Sequence, residues 1–198
     1  MNKKKLYNAL YKVVLKDELR PVLGCVFHSN GCVVASNGHM LAEVQYPNYN
    51  PDLEGKIINR YGAELDKDFP NYKTIIPDIT KMTELRDEFI YNNLLKAARN
   101  VILTDFDRIN NVVVIELNGF LLAKTNIIKA FKVINALDER LTIYTGKPNQ
   151  GVVLKTEHIT CVIMPVDQTT LSPEIKTHFY TIPMALNFQR TIQKQWFE

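Results

Sequence analysis

This chain has three cysteines, no membrane-length apolar run and no nucleotide or nucleophile signature, and each absence removes a class of function. Cys25, Cys32 and Cys161 are odd in number and sit in strand-like apolar runs, so they read as packing residues of a reducing compartment, not as a disulfide framework. No segment approaches the roughly 18 consecutive apolar residues that a membrane span needs. The basic N-terminus leads into a polar, periodic segment without the apolar stretch of a signal peptide, so a soluble cytoplasmic protein with no membrane partner is expected. Walker A, Gly-x-Ser-x-Gly and dinucleotide fingerprints are missing. His28, His39, His158 and His178 have no accompanying nucleophile pattern. Cys25, His28, Cys32 and His39 are spaced like metal ligands, yet strand alternation sends Cys25 and His28 to opposite faces, and zinc needs converging ligands. Asp105 and Asp107 flank Phe106 with no third ligand nearby and read as solvated turn carboxylates. The expectation is a protein that is not an enzyme, with no catalytic residue, no cofactor and no metal.

What is present begins with a hydrophobic content of 46% over 198 residues, enough for a substantial core. A net charge of +3 requires no particular partner, but its distribution says more. A helix over 3–16 gathers Leu6, Leu10, Val13 and Val14 on one side, with Lys5, Asn8, Lys12 and Lys16 opposite. A second, over 126–137, buries Ile127, Ala130, Phe131, Val133, Ile134 and Leu137 and turns Lys129, Lys132 and Asn135 outward. A third, about 88–100, buries Leu94, Leu95 and Ala98 and presents Lys96 and Arg99. Each helix has a cationic outer face. No helix-turn-helix, zinc-finger or aromatic-stacking signature points to base readout.

Between the helices the chain alternates as strands do. Val22 to His28 and Cys32 to Ser36, joined by Ser29-Asn30-Gly31, predict a hairpin, and Met40 to Tyr46 a third strand after Asn37-Gly38. The later segment repeats this grammar: helix 126–137, then strands at 141–145, 151–156 and 159–164. Two copies of α-β-β-β predict an α+β protein of two pseudo-symmetric halves with antiparallel sheets and basic helices on one side.

Three separated stretches add a resemblance: Ser36-Asn37-Gly38-His39-Met40-Leu41-Ala42, Phe69-Pro70-Asn71-Tyr72-Lys73-Thr74-Ile75-Ile76-Pro77 and Cys161-Val162-Ile163-Met164-Pro165-Val166. In order and local pattern they resemble the segments that build the peptide-binding groove of the bacterial DNA sliding clamp, the β subunit of DNA polymerase III. The resemblance implies a groove formed by Ser36, Gly38, His39, Met40 and Leu41, by Pro70 and Ile75, and by Val162, Met164, Pro165 and Val166. Met40 stands where the family usually has Arg. The implied partners are polymerases or repair proteins carrying short clamp-binding peptides. In such clamps basic helices face duplex DNA through its phosphates, which makes Lys4, Lys5, Lys12, Lys16, Lys96, Arg99, Lys129 and Lys132 the DNA-binding candidates and gives no sequence preference. The family's chain is nearly twice as long, so several copies would be needed for a homo-oligomeric ring; the alternative is a non-encircling adaptor or decoy that keeps only the groove.

Organisation follows as a clamp-like region over 1–166, with a first half to about 46, a loop or insertion at about 47–68 and a second part at about 69–166. It is either one clamp-like domain with a long insertion or the front of a middle domain joined to a compacted final one. Residues 167–198 form a C-terminal extension with a candidate strand at 178–182 and a candidate helix at 184–197. Gln193, Trp196 and Phe197 resemble in outline the family's own ligand pattern and are expected either to dock in a clamp groove or to cap the core.

Overall fold

A two-residue turn sets the first hairpin. Asn30 and Gly31 both adopt positive φ, 52° and 73°, the backbone a tight right-twisted hairpin demands, and they join β1 (Val26–Ser29) to β2 (Cys32–Ser36). The computed structural model describes residues 3–15, 17, 19–46, 48–85, 93–96, 98, 99, 114–137, 139–167 and 179–182. The strand expected from Val22 starts four residues later, because Pro21–Gly24 forms a 3-10 turn with Pro21 at its start. Strand β3 (Met40–Gln45) follows, and β4 (Ile57–Ile58) adds to the free edge of β1. After β5 (Thr83–Leu85), a hairpin of β6 (Val114–Leu117) and β7 (Phe120–Ala123) runs directly into the second long helix. Strands β8 (Thr142–Thr145), β9 (Val152–Lys155) and β10 (Ile159–Ile163) complete the second half, and β11 (Phe179–Ile182) lies parallel to β6.

The helices are α1 (Lys3–Val13) and α2 (Lys124–Ile134), with residues 93–96, 98 and 99 also helical. Both expected halves are therefore observed, α1-β1-β2-β3 and α2-β8-β9-β10. They merge into one eight-stranded sheet, ordered β4-β1-β2-β3-β10-β9-β8-β5. The seam is the antiparallel β3–β10 pair, in which Cys161 opposes Ala42 and Ile163 opposes Met40. An approximate twofold relation through this pair exchanges the halves. The smaller sheet, β11-β6-β7, contains the one parallel pairing among the described strands.

Period-two alternation divides the large sheet into two faces. Val26, Val33, Ala35, Met40, Ala42, Val44, Ile143, Val152, Leu154, Cys161 and Ile163 point toward the helices and form the main core with Leu6, Leu10, Val13, Ile127, Ala130, Phe131 and Ile134. Both helices lie on this side of the sheet and touch each other. Fully burying residues such as Leu6 and Leu10, each 0% exposed, contributes roughly 1.5–3 kcal/mol apiece. On the other face, Val34, Leu41, Tyr72, Val153 and Val162 form a second cluster. Cys25 and Cys161 are buried and Cys32 is half-buried, all as free thiols. No helix among the described residues is long and apolar enough to cross a membrane. Lys16, the pair Asp105 and Asp107, the candidate helix at 184–197 and the tail residues Gln193, Trp196 and Phe197 lie outside the described residues.

Candidate groove and basic helix face

The turn between β2 and β3 is built by its own polar side chains. Asn37 Oδ1 accepts the backbone N–H groups of His39 at 2.9 Å and Met40 at 2.8 Å, and Ser36 Oγ accepts from Gly38 N at 3.2 Å while donating to Met40 O at 2.9 Å. Gly38 takes φ 84°, which an L side chain rarely adopts. The Asn37 amide donates to Asn126 Oδ1 at 3.0 Å, with both side chains buried, so the turn is tied to the first turn of α2. Asn126 was not among the sequence candidates; its place on the buried side of α2 between apolar residues was the available signal.

The three groove segments converge on the face away from the helices. Leu41 and Val162 oppose each other across the β3–β10 seam, 2% and 1% exposed, and Met164 and Ile76 pack at the margin of their cluster. Met164 N donates to His39 O at 2.9 Å, which closes the first segment onto the third. The second segment crosses this face as a lid of aromatic residues. Phe69 stacks on Phe27 of β1 with ring centroids 4.8 Å apart and planes 11° from parallel, and Tyr72 meets both rings edge-on at 6.3 and 6.4 Å. The Tyr72 hydroxyl donates to Glu43 Oε1 at 3.0 Å, and the Lys73 ammonium pairs with the same carboxylate oxygen. Burial pulls the Lys73 pKa down, but hydrogen bonds to Glu43 and Tyr72 outweigh it and the pKa is raised.

The expected groove residues therefore divide. Leu41 and Val162 lie buried in this second cluster, Met164 is partly buried at its margin, and Gly38, His39, Pro70 and Ile75 are exposed. Pro165 is half-buried; Val166 leaves for the smaller sheet, where its N–H bonds Leu121 O at 2.7 Å. Ser36 acts within the turn. Met40 does not offer soft apolar surface to the groove: it is 2% exposed in the helix-side core. Adjacent strand residues point to opposite faces, so Met40 and Leu41 could not both line one groove.

On the other side, Lys4, Lys12 and Lys132 are exposed on the two helices, and Lys96 and Arg99 are exposed among the helical residues 93–96, 98 and 99. Lys5 and Lys129, expected to face phosphate in the same way, are engaged within the protein. Lys5 Nζ donates to Asn135 O at 2.7 Å, at the C-terminal end of α2, and Lys129 Nζ to Val13 O at 3.5 Å, at the C-terminal end of α1. Each lysine thus places positive charge at the negative end of its neighbour's helix dipole. Lys129 is half-buried as a result. Among the described residues no group of three or more His, Cys, Asp or Glu side chains could hold a metal ion.

No protein-family model matches the sequence, and no curated protein matches it significantly. Solved structures do. The DNA polymerase III subunit beta sliding clamp of Bartonella birtlesii, bound to griselimycin, matches with a TM-score of 0.56 at 15% identity over 83% of this chain. The DNA polymerase sliding clamp of Pseudomonas aeruginosa, solved with a ligand, gives 0.60 at 12% identity over 83%, and DNA polymerase III subunit beta from Borrelia burgdorferi, in complex with a natural product, gives 0.57 at 13% over 84%. In each case the match covers 63% of the clamp chain. With its antiparallel eight-stranded sheet and paired helices on one face, this chain has the mixed α+β fold of the bacterial sliding clamps.

Proposed function

We propose that this protein is a sliding-clamp-like processivity factor that holds duplex DNA non-specifically against its helices and recruits polymerase or repair proteins through the groove on the opposite face. The single observation that carries this reading is the division of the sheet. Leu41, Val162 and Met164 gather on one side with the segment that carries Phe69 and Tyr72, and Lys4, Lys12 and Lys132 stand on the helices of the other. Lys96 and Arg99 add to the cationic side, and Lys5 and Lys129 contribute charge while fastening the two helices. A peptide of apolar and aromatic residues suits the groove floor. Phosphates suit the lysines, whose contacts give affinity through counterion release.

The test is salt-dependent binding of the full chain to a duplex, read by fluorescence anisotropy. Log affinity should fall against log salt with a slope of about −0.9 per phosphate neutralised, and the double substitution Lys12→Glu and Lys132→Glu should weaken binding equally for unrelated sequences. Unchanged affinity in the double variant overturns the DNA-facing role. Light scattering on the same preparation separates the two forms of the reading. A ring requires a defined oligomer, whereas a monomer that binds clamp-ligand peptides but no DNA is the non-encircling adaptor. That second form is favoured by one observation: Lys5 and Lys129, two of the DNA-binding candidates, are engaged at the C-terminal ends of neighbouring helices.

A further inference from the structure

The loop after β4 displays an aromatic residue in a manner that packing does not explain. Tyr61 is 88% exposed, at the tip of a turn whose backbone is closed by hydrogen bonds. Asn59 N donates to Ala63 O at 2.9 Å and Gly62 N to Asn59 O at 3.0 Å, while Asn59 Oδ1 accepts from both Tyr61 N and Ala63 N at 2.9 Å. Gly62 supplies the positive φ of 86° that the turn needs. The stem is fixed by the Ile58–Glu64 bridge, by Leu65 N donating to Ile57 O at 2.8 Å, and by the Lys56–Glu64 ion pair at 3.3 Å, which neutralises the acid nearest the tip. The tip, residues 59–63, then carries one charge, that of Arg60, which is exposed.

Position gives the tip its meaning. Tyr11 of α1 donates its hydroxyl to Asn59 O at 2.7 Å and Ile58 O at 3.2 Å, so the loop is fastened to the helix at the residue before Lys12. Ile58 packs into the helix-side core, which puts the base of the loop on that side of the sheet's β4 edge. Burial pushes the Tyr11 hydroxyl up to about 12, and the charge of the Arg60 guanidinium acts against that shift. An exposed ring on a rigid turn loses little conformational freedom on binding. A neighbouring cation beside it matches a phosphate next to a base.

We infer that Arg60 and Tyr61 form a contact for single-stranded nucleic acid at the edge of the basic helix face, with Tyr61 stacking on an unpaired base and Arg60 meeting the adjacent phosphate. This rests on the helix side facing DNA. Within a duplex the bases already stack on each other and offer no free π-face, so the contact acts where the double strand ends or opens. Stacking on an aromatic side chain accepts any base, and the site therefore senses strand state and not sequence.

The experiment uses the full chain and two probes, a blunt duplex and the same duplex carrying a single-stranded overhang with 2-aminopurine at its first unpaired position. The wild type should prefer the overhang probe and quench its fluorescence. Tyr61→Ala should lose about tenfold in affinity for the overhang probe and lose the quench, with blunt-duplex affinity unchanged, and Tyr61→Phe should retain both properties because the ring remains. Arg60→Ala should weaken the overhang probe and lower its salt slope. Equal behaviour of wild type and Tyr61→Ala on both probes overturns the inference, as does an equal loss on both. A change in oligomeric state on light scattering in Tyr61→Ala assigns the residue to a second copy of the chain and likewise overturns it. Absence of salt-dependent binding by the wild type to either probe removes the DNA-facing reading and this one together. Duplex binding that responds to Lys12→Glu and Lys132→Glu while Tyr61 has no effect removes this one alone.

Discussion

The two halves of the large sheet are built to one plan and finished differently. At the seam, Met164 N donates to His39 O at 2.9 Å at one end, and Gln45 N donates to His158 O at 2.8 Å at the other, so equivalent histidines close equivalent turns. Their side chains diverge. His39 is exposed, whereas His158 Nδ1 lies 2.6 Å from Glu139 Oε1, and the other oxygen of that carboxylate binds the Thr156 hydroxyl and His158 N. The outward-facing seam residues differ in the same sense. At the His39 end they are the apolar pair Leu41 and Val162, and at the His158 end the polar pair Glu43 and Thr160. Symmetric backbone pairing makes the sheet; asymmetric side chains make one end of its outward face apolar and the other polar.

The largest effect is expected where the groove end depends on residues from outside both halves. Tyr72, 4% exposed, spans the contrast: its ring packs with Phe27 and Phe69 above the apolar cluster, and its hydroxyl reaches Glu43 at the polar end. Tyr72→Ala should cost about 3–5 kcal/mol in urea denaturation, as large-to-small aromatic substitutions in cores do, and should abolish peptide binding. Thr160→Ala, at the polar end, should cost under about 1 kcal/mol. Similar losses in the two variants would mean that the aromatic lid does not distinguish the ends.

The second effect concerns buried polar residues at matching sheet positions. His28 opposes Val33 and is 1% exposed, between Tyr7 and Tyr49, with neither ring nitrogen hydrogen-bonded among the described residues. Its counterpart, one register step beyond the Tyr144–Val153 pair, is Thr145, whose hydroxyl accepts from Asn118 Nδ2 at 3.1 Å. Burial drives the His28 pKa down to about 4, with Lys3 adding to the shift and Glu54 opposing it. The unfolded imidazole takes up a proton near pH 6.5, whereas the folded one resists until about 4. Stability is therefore complete above about pH 6.5 and is lost as pH falls through that window, by on the order of 3 kcal/mol. Urea midpoints at about pH 7 and about pH 4.5 measure it. His28→Phe should flatten the dependence; a slope that survives the substitution belongs to other groups.

Much of this contrast was legible in the chain because alternation and amphipathic periodicity are local. The Asn30-Gly31 hairpin, the strands at 32–36, 40–45 and 159–163, and the basic outer sides of both long helices follow from residue spacing alone. Strand β7 did not, because Phe120-Leu121-Leu122-Ala123 flows into α2 without punctuation, and the period changes from two to 3.6 inside one apolar run. The Asn118-Gly119 turn, at φ 49° and 80°, was the hairpin signal that marked it. Strand β5 has three residues, too few for alternation to register. Of the site, the convergence of the three segments was legible through their patterns. The engagement of Lys129 was not, since its partner Val13 is 116 residues away, and the Asn37–Asn126 link spans 89. Arg60 and Tyr61 went unnoticed because turn composition marks a loop but does not say that the loop is rigid.

The smallest effect isolates the two histidine turns. Replacing either histidine by alanine leaves its carbonyl in place, so both seam hydrogen bonds persist and only the side chains are tested. His158→Ala removes the contact with Glu139, a carboxylate that then keeps the Thr156 hydroxyl and the residue 158 N–H, and should cost about 1 kcal/mol. The His39 ring is exposed and has no partner among the described residues, so His39→Ala should change stability by no more than about 0.5 kcal/mol. Its effect is expected on peptide affinity, because residue 39 is exposed and its backbone is joined to Met164, which packs at the margin of the outward-facing apolar cluster. Urea midpoints and peptide titrations on the same two variants then give opposite rankings, stability moving with His158 and binding with His39. Matching rankings would mean that the open turn carries structure and not recognition, and the difference between the halves would lose its functional reading.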